Sequence, residues 1–290
     1  MRIRHAIFSL TFLLLPLGVA AAQGQSALTV TWAPEKPVNG AAVMFQVVSS
    51  APLQSLSGSW LGRRLYFDFD QSKGTWYGLA GVKLETPAGR YLLRLEAIGQ
   101  DGRRFTASRP VPIGRAAYRT VKLSVPRRYT EPDAPTLERI KQEQALKKEA
   151  FGHLSPERFW SRGFAAPLDE VIVTEEYGVQ RRFNRRRQSV HLGIDLRAPM
   201  GTPVKAINHA EVLLAREMFF EGGFVILDHG QGLLSLYLHL SEIKVRPGEF
   251  VKRGQIIGLS GDSGRVTAPH LHMGIRWQGV YLDGATLLKQ

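Results

Sequence analysis

Three short segments of the sequence carry histidines in arrangements that suit metal chemistry. They are HLGID at 191–195, LYLHL at 236–240 and PHLH at 269–272, and together they supply His191, Asp195, His239, His270 and His272. A structural zinc site is usually closed by four protein ligands, often thiolates, whereas a catalytic site uses three and leaves a position for water. Because the chain contains no cysteine, a zinc ion bound here would have only nitrogen and oxygen ligands, which favours a catalytic site.

The PHLH segment is predicted to present two imidazoles to one site. On a strand, residues i and i+2 point to the same face, with Cα atoms about 6–7 Å apart. His270 and His272 would then face the site together, while Leu271 enters the core. One imidazole could bind a metal ion and the other could reach its bound water, but strand parity does not say which does which.

The HLGID segment must bend if both of its polar residues bind one ion. In a fully extended strand, His191 and Asp195 would lie about 13 Å apart, too far for ligands that each approach zinc to roughly 2 Å. Gly193 is the residue that can allow the bend. His239 follows the strand-like segment 235–238 and could face the same site from a neighbouring strand. Any one of these motifs occurs by chance, but five suitable groups in one half of the chain favour a common site.

The elements that position these groups are predicted to be mainly β. Residues 166–290 form one strand-rich domain, in which 224–228 and 233–240 flank a glycine-containing turn at 229–232 and predict a hairpin. No long helix pattern occurs in this half.

Residues 23–113 are predicted to form a second domain, an immunoglobulin-like β-sandwich. Apolar residues alternate with other side chains at Val43, Phe45 and Val47, and again from Leu65 to Phe69, which is typical of half-buried strands. The turn at 99–102 predicts a further hairpin, and several short strands separated by turns favour a sandwich.

Between them, residues 114–165 are predicted to be a linker with helical parts. Segment 136–150 is rich in Lys, Glu, Gln, Leu and Ala, which favours one exposed helix with solvated charges. Ser155 followed by Pro156 predicts the start of a second helix, with serine as the N-cap.

Residues 1–22 are predicted to be a secretory signal peptide. Arg2 and Arg4 precede an apolar run over 7–19, and the small residues at 20–22 suit cleavage. The run is short for a transmembrane span. We therefore expect an exported protein in the periplasm, cell envelope or medium, with no stable membrane insertion after cleavage.

The charge of the chain indicates what kind of partner it binds. The net charge is +13, and a strongly basic exported protein should attract anionic polymers. Export and the lack of a recognisable nucleic-acid-binding module argue against nucleic acid. A cell-wall polymer is the expected partner.

Longer stretches around the histidines resemble the M23 family of zinc metallopeptidases, the lysostaphin and LytM type, which hydrolyse bacterial cell walls. The resemblance runs from about Pro167 to Leu288. It rests on YGVQRRFN (177–184), HLGIDLRAPMGTPVKA (191–206), GGFVILDHGQGLLSLYLHLS (222–241), VKRGQIIGLSGDSGRVTAPHLHMGI (251–275) and a closing YLD.

The resemblance implies a lysostaphin-type antiparallel β-sheet peptidase domain that hydrolyses peptide bonds in peptidoglycan cross-links. It implies that His191, Asp195 and His272 bind Zn²⁺. It also implies that His239 and His270 form a catalytic pair beside the ion.

This chain departs from the family pattern at Asn184-Arg185, at Ala210 and at Ala268, where relatives usually have Asn-Gly, glycine and glycine respectively. None of these positions is a ligand, but Ala268 could narrow the approach to the site and affect substrate preference. The five arginines within 181–187 could hold carboxylates of the wall polymer or form an exposed basic loop.

Two other functions fit parts of the sequence. Degenerate M23 domains act as non-catalytic wall-binding or amidase-activating modules, but this chain keeps the complete ligand set. A different zinc hydrolase, such as an amidase that releases lactyl-ended glycans, is the second alternative.

Overall fold

The computed structural model describes residues 28–123, 126–129, 131–183 and 187–289. The predicted signal peptide and the Asn184-Arg185 departure lie outside these residues. Among the helices of the described ranges, none is both long and apolar enough to cross a membrane.

The amino-terminal part forms two four-stranded antiparallel sheets. One contains β1, β2, β6 and β5 in that order, and the other contains β4, β3, β7 and β8. The strands are β1 (Leu28–Ala33), β2 (Ala42–Ser49), β3 (Leu53–Trp60), β4 (Arg63–Tyr66), β5 (Asp68–Asp70), β6 (Thr75–Gly81), β7 (Gly89–Gly99) and β8 (Arg104–Ile113).

The alternating apolar residues of this part enter a hydrophobic core, as their spacing predicts. Val43, Phe45 and Val47 of β2 are fully buried. The ring of Phe45 packs edge-to-face against the ring of Trp60, which belongs to the other sheet, with the ring centroids 5.1 Å apart. The alternation fails at Phe69, which is 48% exposed, because β5 is the edge strand of its sheet. The predicted hairpin between β7 and β8 is confirmed, and the immunoglobulin-like sandwich remains a prediction.

The linker contains the predicted helix but not the second one. Strand β9 (Thr120–Leu123) and a 3₁₀ turn over Arg127–Tyr129 precede α1 (Ala134–Gly152). The α1 N-cap is Asp133, whose carboxylate accepts a hydrogen bond from the amide of Thr136 at 3.0 Å.

No helix begins at Ser155, so that prediction is wrong. The backbone amides of Phe159 and Trp160 instead donate to the carbonyl of His229 in the carboxyl-terminal domain, and Arg158 forms a β-bridge with Gly230. These extended residues therefore satisfy their backbone groups across the domain rather than within a helix.

The prediction that α1 is an exposed helix with solvated charges holds for most of its residues, but not for its buried positions. Ile140, Glu143 and Ala150 are buried. The Glu143 carboxylate accepts a hydrogen bond from the amide of Phe219 at 2.9 Å. The same carboxylate also accepts a hydrogen bond from Nε of Arg139 at 2.7 Å. A charge on the helix thus fixes α1 to the carboxyl-terminal sheet.

The carboxyl-terminal part is built around one large antiparallel sheet, with the order β10-β13-β20-β17-β16-β15-β18 along its main path. Its hairpin at 229–232 joins β16 to β17, as predicted. The elements are β10 (Val173–Glu175), β11 (Gln180–Phe183), β12 (Arg187–Val190), β13 (Ile194–Leu196), β14 (Pro203–Lys205), β15 (Ala210–Met218), β16 (Gly222–Asp228), β17 (Leu233–Ile243), β18 (Phe250–Val251), β19 (Ile256–Ser260), β20 (Leu271–Trp277), β21 (Val280–Leu282) and the short helix α2 (Gly284–Leu287).

The two parts of the chain share contacts and a core. Strand β9 of the linker pairs in parallel with β11. The Thr286 hydroxyl accepts a hydrogen bond from the amide of Ala42 at 2.9 Å. A methyl group on Gly81 would lie 2.5 Å from the Leu282 side chain, so a larger residue there would require Leu282 to shift. Residues of both parts belong to one buried apolar cluster.

His229 stabilises the β16–β17 hairpin in its uncharged form. It is fully buried. Its Nδ1 lies 2.9 Å from the His209 carbonyl and its Nε2 lies 2.7 Å from the Ser235 hydroxyl. Burial lowers the pKa of His229 to about 4, whereas an unfolded histidine titrates near 6.5.

This shift predicts a loss of stability in acid. Because the unfolded chain binds the proton more tightly, the contribution of His229 is complete above pH 6.5 and is lost as pH falls towards 4, by about 3 kcal/mol in the free energy of unfolding. Urea unfolding at pH 7 and pH 4.5 should show a larger loss for the wild type than for His229→Gln. Equal losses in the two proteins would contradict the assignment.

Candidate metal centre

Two neighbouring strands and the turn before them bring three side chains together. Asp195 of β13 and His272 of β20 are direct partners in the antiparallel register, and His191 lies just before β13. The Nε2 atom of His191 is 3.0 Å from Oδ1 of Asp195 and 2.9 Å from Nδ1 of His272. The Asp195 oxygen is 2.7 Å from that same His272 nitrogen.

These three atoms fit a zinc ion. Zinc lies about 2.0–2.1 Å from imidazole nitrogen and 2.0–2.2 Å from carboxylate oxygen in a tetrahedral arrangement, so its ligand atoms must lie close to one another, as these do. Among the described residues, this is the single group of three or more His, Cys, Asp or Glu side chains that could hold a metal ion. The structure thus brings together His191, Asp195 and His272, the three residues that the resemblance implies as ligands, and their binding of zinc remains a prediction.

The hydrogen bonds of His191 orient its ring towards such an ion. Its Nδ1 lies 2.8 Å from the carbonyl of Glu176. A carbonyl can only accept, so Nδ1 carries the proton and Nε2 keeps its lone pair for a metal. The ring is 1% exposed, so this tautomer is held in a buried environment.

Gly193 is required for space as well as for the bend between the ligands. A methyl group there would lie 2.5 Å from Nε2 of His272 and 2.6 Å from the carbonyl oxygen of Met273. The sequence indicated that a glycine would allow the bend, but it gave no sign of this close approach.

His239 and His270 stand beside the three ligands. His270 Nε2 is 3.6 Å from Oδ1 of Asp195, and the rings of His239 and His270 are 4.9 Å apart. Nδ1 of His239 lies 2.9 Å from the carbonyl of Ser263, and Nδ1 of His270 lies 2.8 Å from the carbonyl of Ala268. Both rings therefore donate through Nδ1 and keep Nε2 as a proton acceptor.

The strand-parity argument for 270–272 is confirmed, because both imidazoles line the cleft while Leu271 is fully buried. His239 departs from simple alternation. It has a left-handed backbone with φ of 67°, and the pairing of β16 with β17 shifts register between Gly223 and Val225. A bulge of this kind re-aims a side chain, and such backbone strain in a non-glycine residue is often found at functional sites.

Burial sets the protonation of the two central groups. It lowers the pKa of His239 to about 3, helped by the neighbouring His272 and His270, so His239 is uncharged at neutral pH. Burial alone would raise the pKa of Asp195, but hydrogen bonds with His191 and His272 outweigh it and hold that pKa far below the usual range. Asp195 is therefore ionised and suited to bind a cation.

Two residues that the sequence did not assign complete the surroundings of Asp195. Arg181 of β11 donates from a terminal nitrogen to Oδ2 of Asp195 at 2.6 Å and also bonds to Glu175. The Glu175 carboxylate lies 3.4 Å from Nδ1 of His191. Arg181 is thus paired with carboxylates of the protein itself, whereas the sequence suggested that it could bind carboxylates of the wall polymer. The alternation of side chains along a strand predicts that Arg181 and Arg182 lie on opposite faces of β11, but it does not predict which of the two residues is directed at the metal site.

The site opens into a cleft of about 570 Å³. The lining residues lie between Thr174 and His272 and include Ala268. Within the described ranges, no residue of β1–β9 or α1 lines it. The amino-terminal part therefore does not cover the cleft in this structure.

Comparisons with known proteins agree with this arrangement. Residues 189–284 match the model of peptidase family M23. A crystal structure of a candidate M23 peptidase from Pseudomonas aeruginosa superimposes with a TM-score of 0.63 at 26% identity, over 87% of this chain and 95% of that one. The chain therefore carries a domain of peptidase family M23, with the lysostaphin-type β-sheet fold.

Curated relatives are similar over part of this chain. Peptidoglycan DD-endopeptidase ShyA of Vibrio cholerae serotype O1 is 46% identical over 87 residues, or 30% of this chain and 20% of the relative. Lysostaphin of Staphylococcus simulans is 45% identical over 85 residues, or 29% of this chain and 17% of the relative. The chain thus spans about a fifth of the length of these relatives.

Proposed function

We propose that this protein is an exported Zn²⁺-dependent endopeptidase that hydrolyses peptide bonds in peptidoglycan cross-links. The observation that carries the proposal is the convergence of one atom each from His191, Asp195 and His272, within 3.0 Å of one another, beside two further imidazoles. The family assignment and the endopeptidase relatives support the same chemistry.

His191, Asp195 and His272 would hold the ion. When bound, zinc supplies Lewis acidity, which polarises a scissile carbonyl and brings the pKa of a water ligand to about 7. The buried carboxylate of Asp195 offsets part of the charge of the ion. The hydrogen bond from Arg181 to its Oδ2 leaves Oδ1 directed at the two imidazole nitrogens.

His239 and His270 would move protons at their Nε2 atoms. Both are fixed by a hydrogen bond from Nδ1 to a backbone carbonyl, so neither ring must reorient to accept a proton. Either ring could take the proton of the attacking water at Nε2 and, once protonated there, donate it to the developing oxyanion or to the leaving amine. The geometry permits either assignment.

A non-catalytic, wall-binding or amidase-activating module is the alternative. Such a module would not need two imidazoles fixed by backbone carbonyls next to a complete ligand set. The closeness of His270 to Asp195, at 3.6 Å, therefore favours an enzyme.

Incubation of the purified protein with bacterial sacculi, with and without a chelator, tests the proposal. We expect chelator-sensitive release of fragments with cleaved stem peptides. Lactyl-ended glycans would instead indicate an amidase, and no release by zinc-loaded protein would favour the non-catalytic module. The 160–290 fragment is not expected to be faster than the longer chain, because the amino-terminal part does not line the cleft.

The proposed organisation keeps the sequence-based boundaries. A signal peptide over 1–22 would direct export, residues 23–113 would form the β-domain, residues 114–165 the linker and residues 166–290 the peptidase domain. The large positive charge of the chain would help to concentrate the protein on anionic wall polymers.

Arg181 provides a further test of the metal centre. Arg181→Gln removes the charged partner of Asp195 Oδ2, and loss of such a partner typically weakens metal binding by about 10–100-fold. Chelator competition should show this loss. Arg182→Gln changes the next residue of β11, which is exposed, and should bind zinc like the wild type. Equal affinities in both variants would contradict a supporting role for Arg181.

A further inference from the structure

A short turn of the linker is fixed against the loop that forms one wall of the cleft. Tyr129 of this turn is buried, and its ring packs on those of Phe219 and Phe220 at 5.3 and 6.4 Å. Its hydroxyl donates to the carbonyl of Gly264. The turn and the loop over 262–269 therefore hold a defined position relative to each other.

The turn and the loop enclose a recess of about 430 Å³ next to the cleft. Pro126, Arg128 and Tyr129 line it from the linker, and Asp262 lines it from the loop. Residues 266–269 line both the recess and the catalytic cleft. The recess and the cleft therefore adjoin along this shared wall.

Arg128 presents a fixed positive charge to the recess. Its guanidinium lies 4.8 Å above the ring of Tyr129, and one terminal nitrogen is 3.4 Å from the Tyr129 hydroxyl. Stacking restricts the side chain without neutralising it. Arg127, one residue earlier, instead forms an ion pair with Glu131 at 2.5 Å. Over the described part of the chain, Arg128 has no acidic partner within 4.0 Å.

Asp262 presents the opposite charge. It is exposed on the loop, and within the described ranges no ion pair or side-chain hydrogen bond engages its carboxylate. The recess is thus bordered by one cation and one anion that the protein itself does not pair. A group that carries both charges is the ligand that matches this arrangement.

We propose that the recess is a subsite for a free amino-acid group of the substrate, with its carboxylate on Arg128 and its ammonium on Asp262. The proposal rests on the proposed function, since a stem peptide containing a diamino dicarboxylic acid carries such a group wherever the side-chain amine of that residue is not cross-linked. Charge-assisted hydrogen bonds would give the recess both affinity and selectivity.

Calorimetric binding of a soluble stem tetrapeptide that contains diaminopimelate tests the subsite on the full chain. Arg128→Gln should weaken binding about three- to tenfold, the range expected for a partly exposed charge pair, whereas Arg127→Gln should not. The same peptide with a side-chain carboxamide should bind the wild type more weakly by that factor, and Arg128→Gln should add no further loss. Asp262→Asn should weaken binding of the unmodified peptide by a similar factor, and it should cause no further loss with a peptide whose side-chain amine is acetylated.

Equal affinity of the wild type and Arg128→Gln for the acidic peptide would overturn the proposal. The proposal would also be overturned if Arg128→Gln reduced the affinity for the acidic peptide and for the carboxamide peptide equally. Hydrolysis of sacculi by the same proteins separates this result from the proposed function: a wild type that binds with the expected charge dependence but releases no fragments contradicts the activity and supports the subsite.

Discussion

Asp195→Ala is expected to abolish zinc binding and hydrolysis together. The substitution removes the anionic ligand and leaves the imidazoles of His191 and His272, whose nitrogens are 2.9 Å apart, without the charge that favours a cation. Loss of a residue that merely orients a ligand costs about 10–100-fold in metal affinity, so loss of the ligand itself should exceed 100-fold. Metal content after gel filtration and fragment release from sacculi measure the two effects.

Asp169→Ala is the matched control for this change. Asp169 lies in the same domain, where it is 81% exposed and paired with Lys205, and its loss should alter neither readout. His272→Ala should reproduce the Asp195→Ala result. Normal zinc content in either ligand variant would contradict the proposed coordination.

His270→Ala is expected to keep the metal and lose turnover. The side chain is beside the ligand set rather than within it, with Nε2 3.6 Å from Asp195 Oδ1, so the three ligand atoms remain. Loss of a single acid–base group typically costs about 10²–10⁴-fold in rate. Steady-state hydrolysis of a defined cross-linked muropeptide, together with zinc content, checks both parts of the expectation.

His209→Ala is the control for the His270 variant. His209 stacks on Phe250 at 6.5 Å, does not line the cleft, and should leave the rate unchanged. Full turnover in His270→Ala would assign the proton transfer to another group, with His239 the next to be tested.

Much of the site could be predicted from strand geometry. The i, i+2 rule placed His270 and His272 on one face and Leu271 in the core, and the structure agrees because the backbone is already extended at His270, which pairs with Gly261 in an isolated bridge just before β20. The distance argument required a bend at Gly193, and the chain does turn there. In both cases the positions of the side chains depend on local backbone geometry, which can be predicted from the residues of the segment itself.

Other features depend on packing between distant segments and could not be predicted. The bulge that turns His239 into the cleft arises from how β17 pairs with β16. Arg181 reaches Asp195 because β11 is held by linker strand β9. The helix predicted at Ser155 is replaced by hydrogen bonds to the His229 carbonyl, which no local sequence signal announces.

The amino-terminal part is also more integrated than its sequence suggested. The linker pairs with β11, α1 bonds to Phe219 through Glu143, and Ala42 bonds to Thr286. These contacts connect the surroundings of the metal centre to residues well before the family match at 189–284. A shortened peptidase fragment would therefore lose packing that the longer chain retains.

X-ray absorption at the zinc edge of the zinc-loaded protein tests the central claim most directly. Two imidazole nitrogens and one carboxylate oxygen, with a remaining oxygen from solvent, are expected at about 2.0–2.2 Å. A spectrum with three or four imidazoles around the ion would mean that His239 or His270 is a ligand, and would contradict the division of these five residues between binding and catalysis.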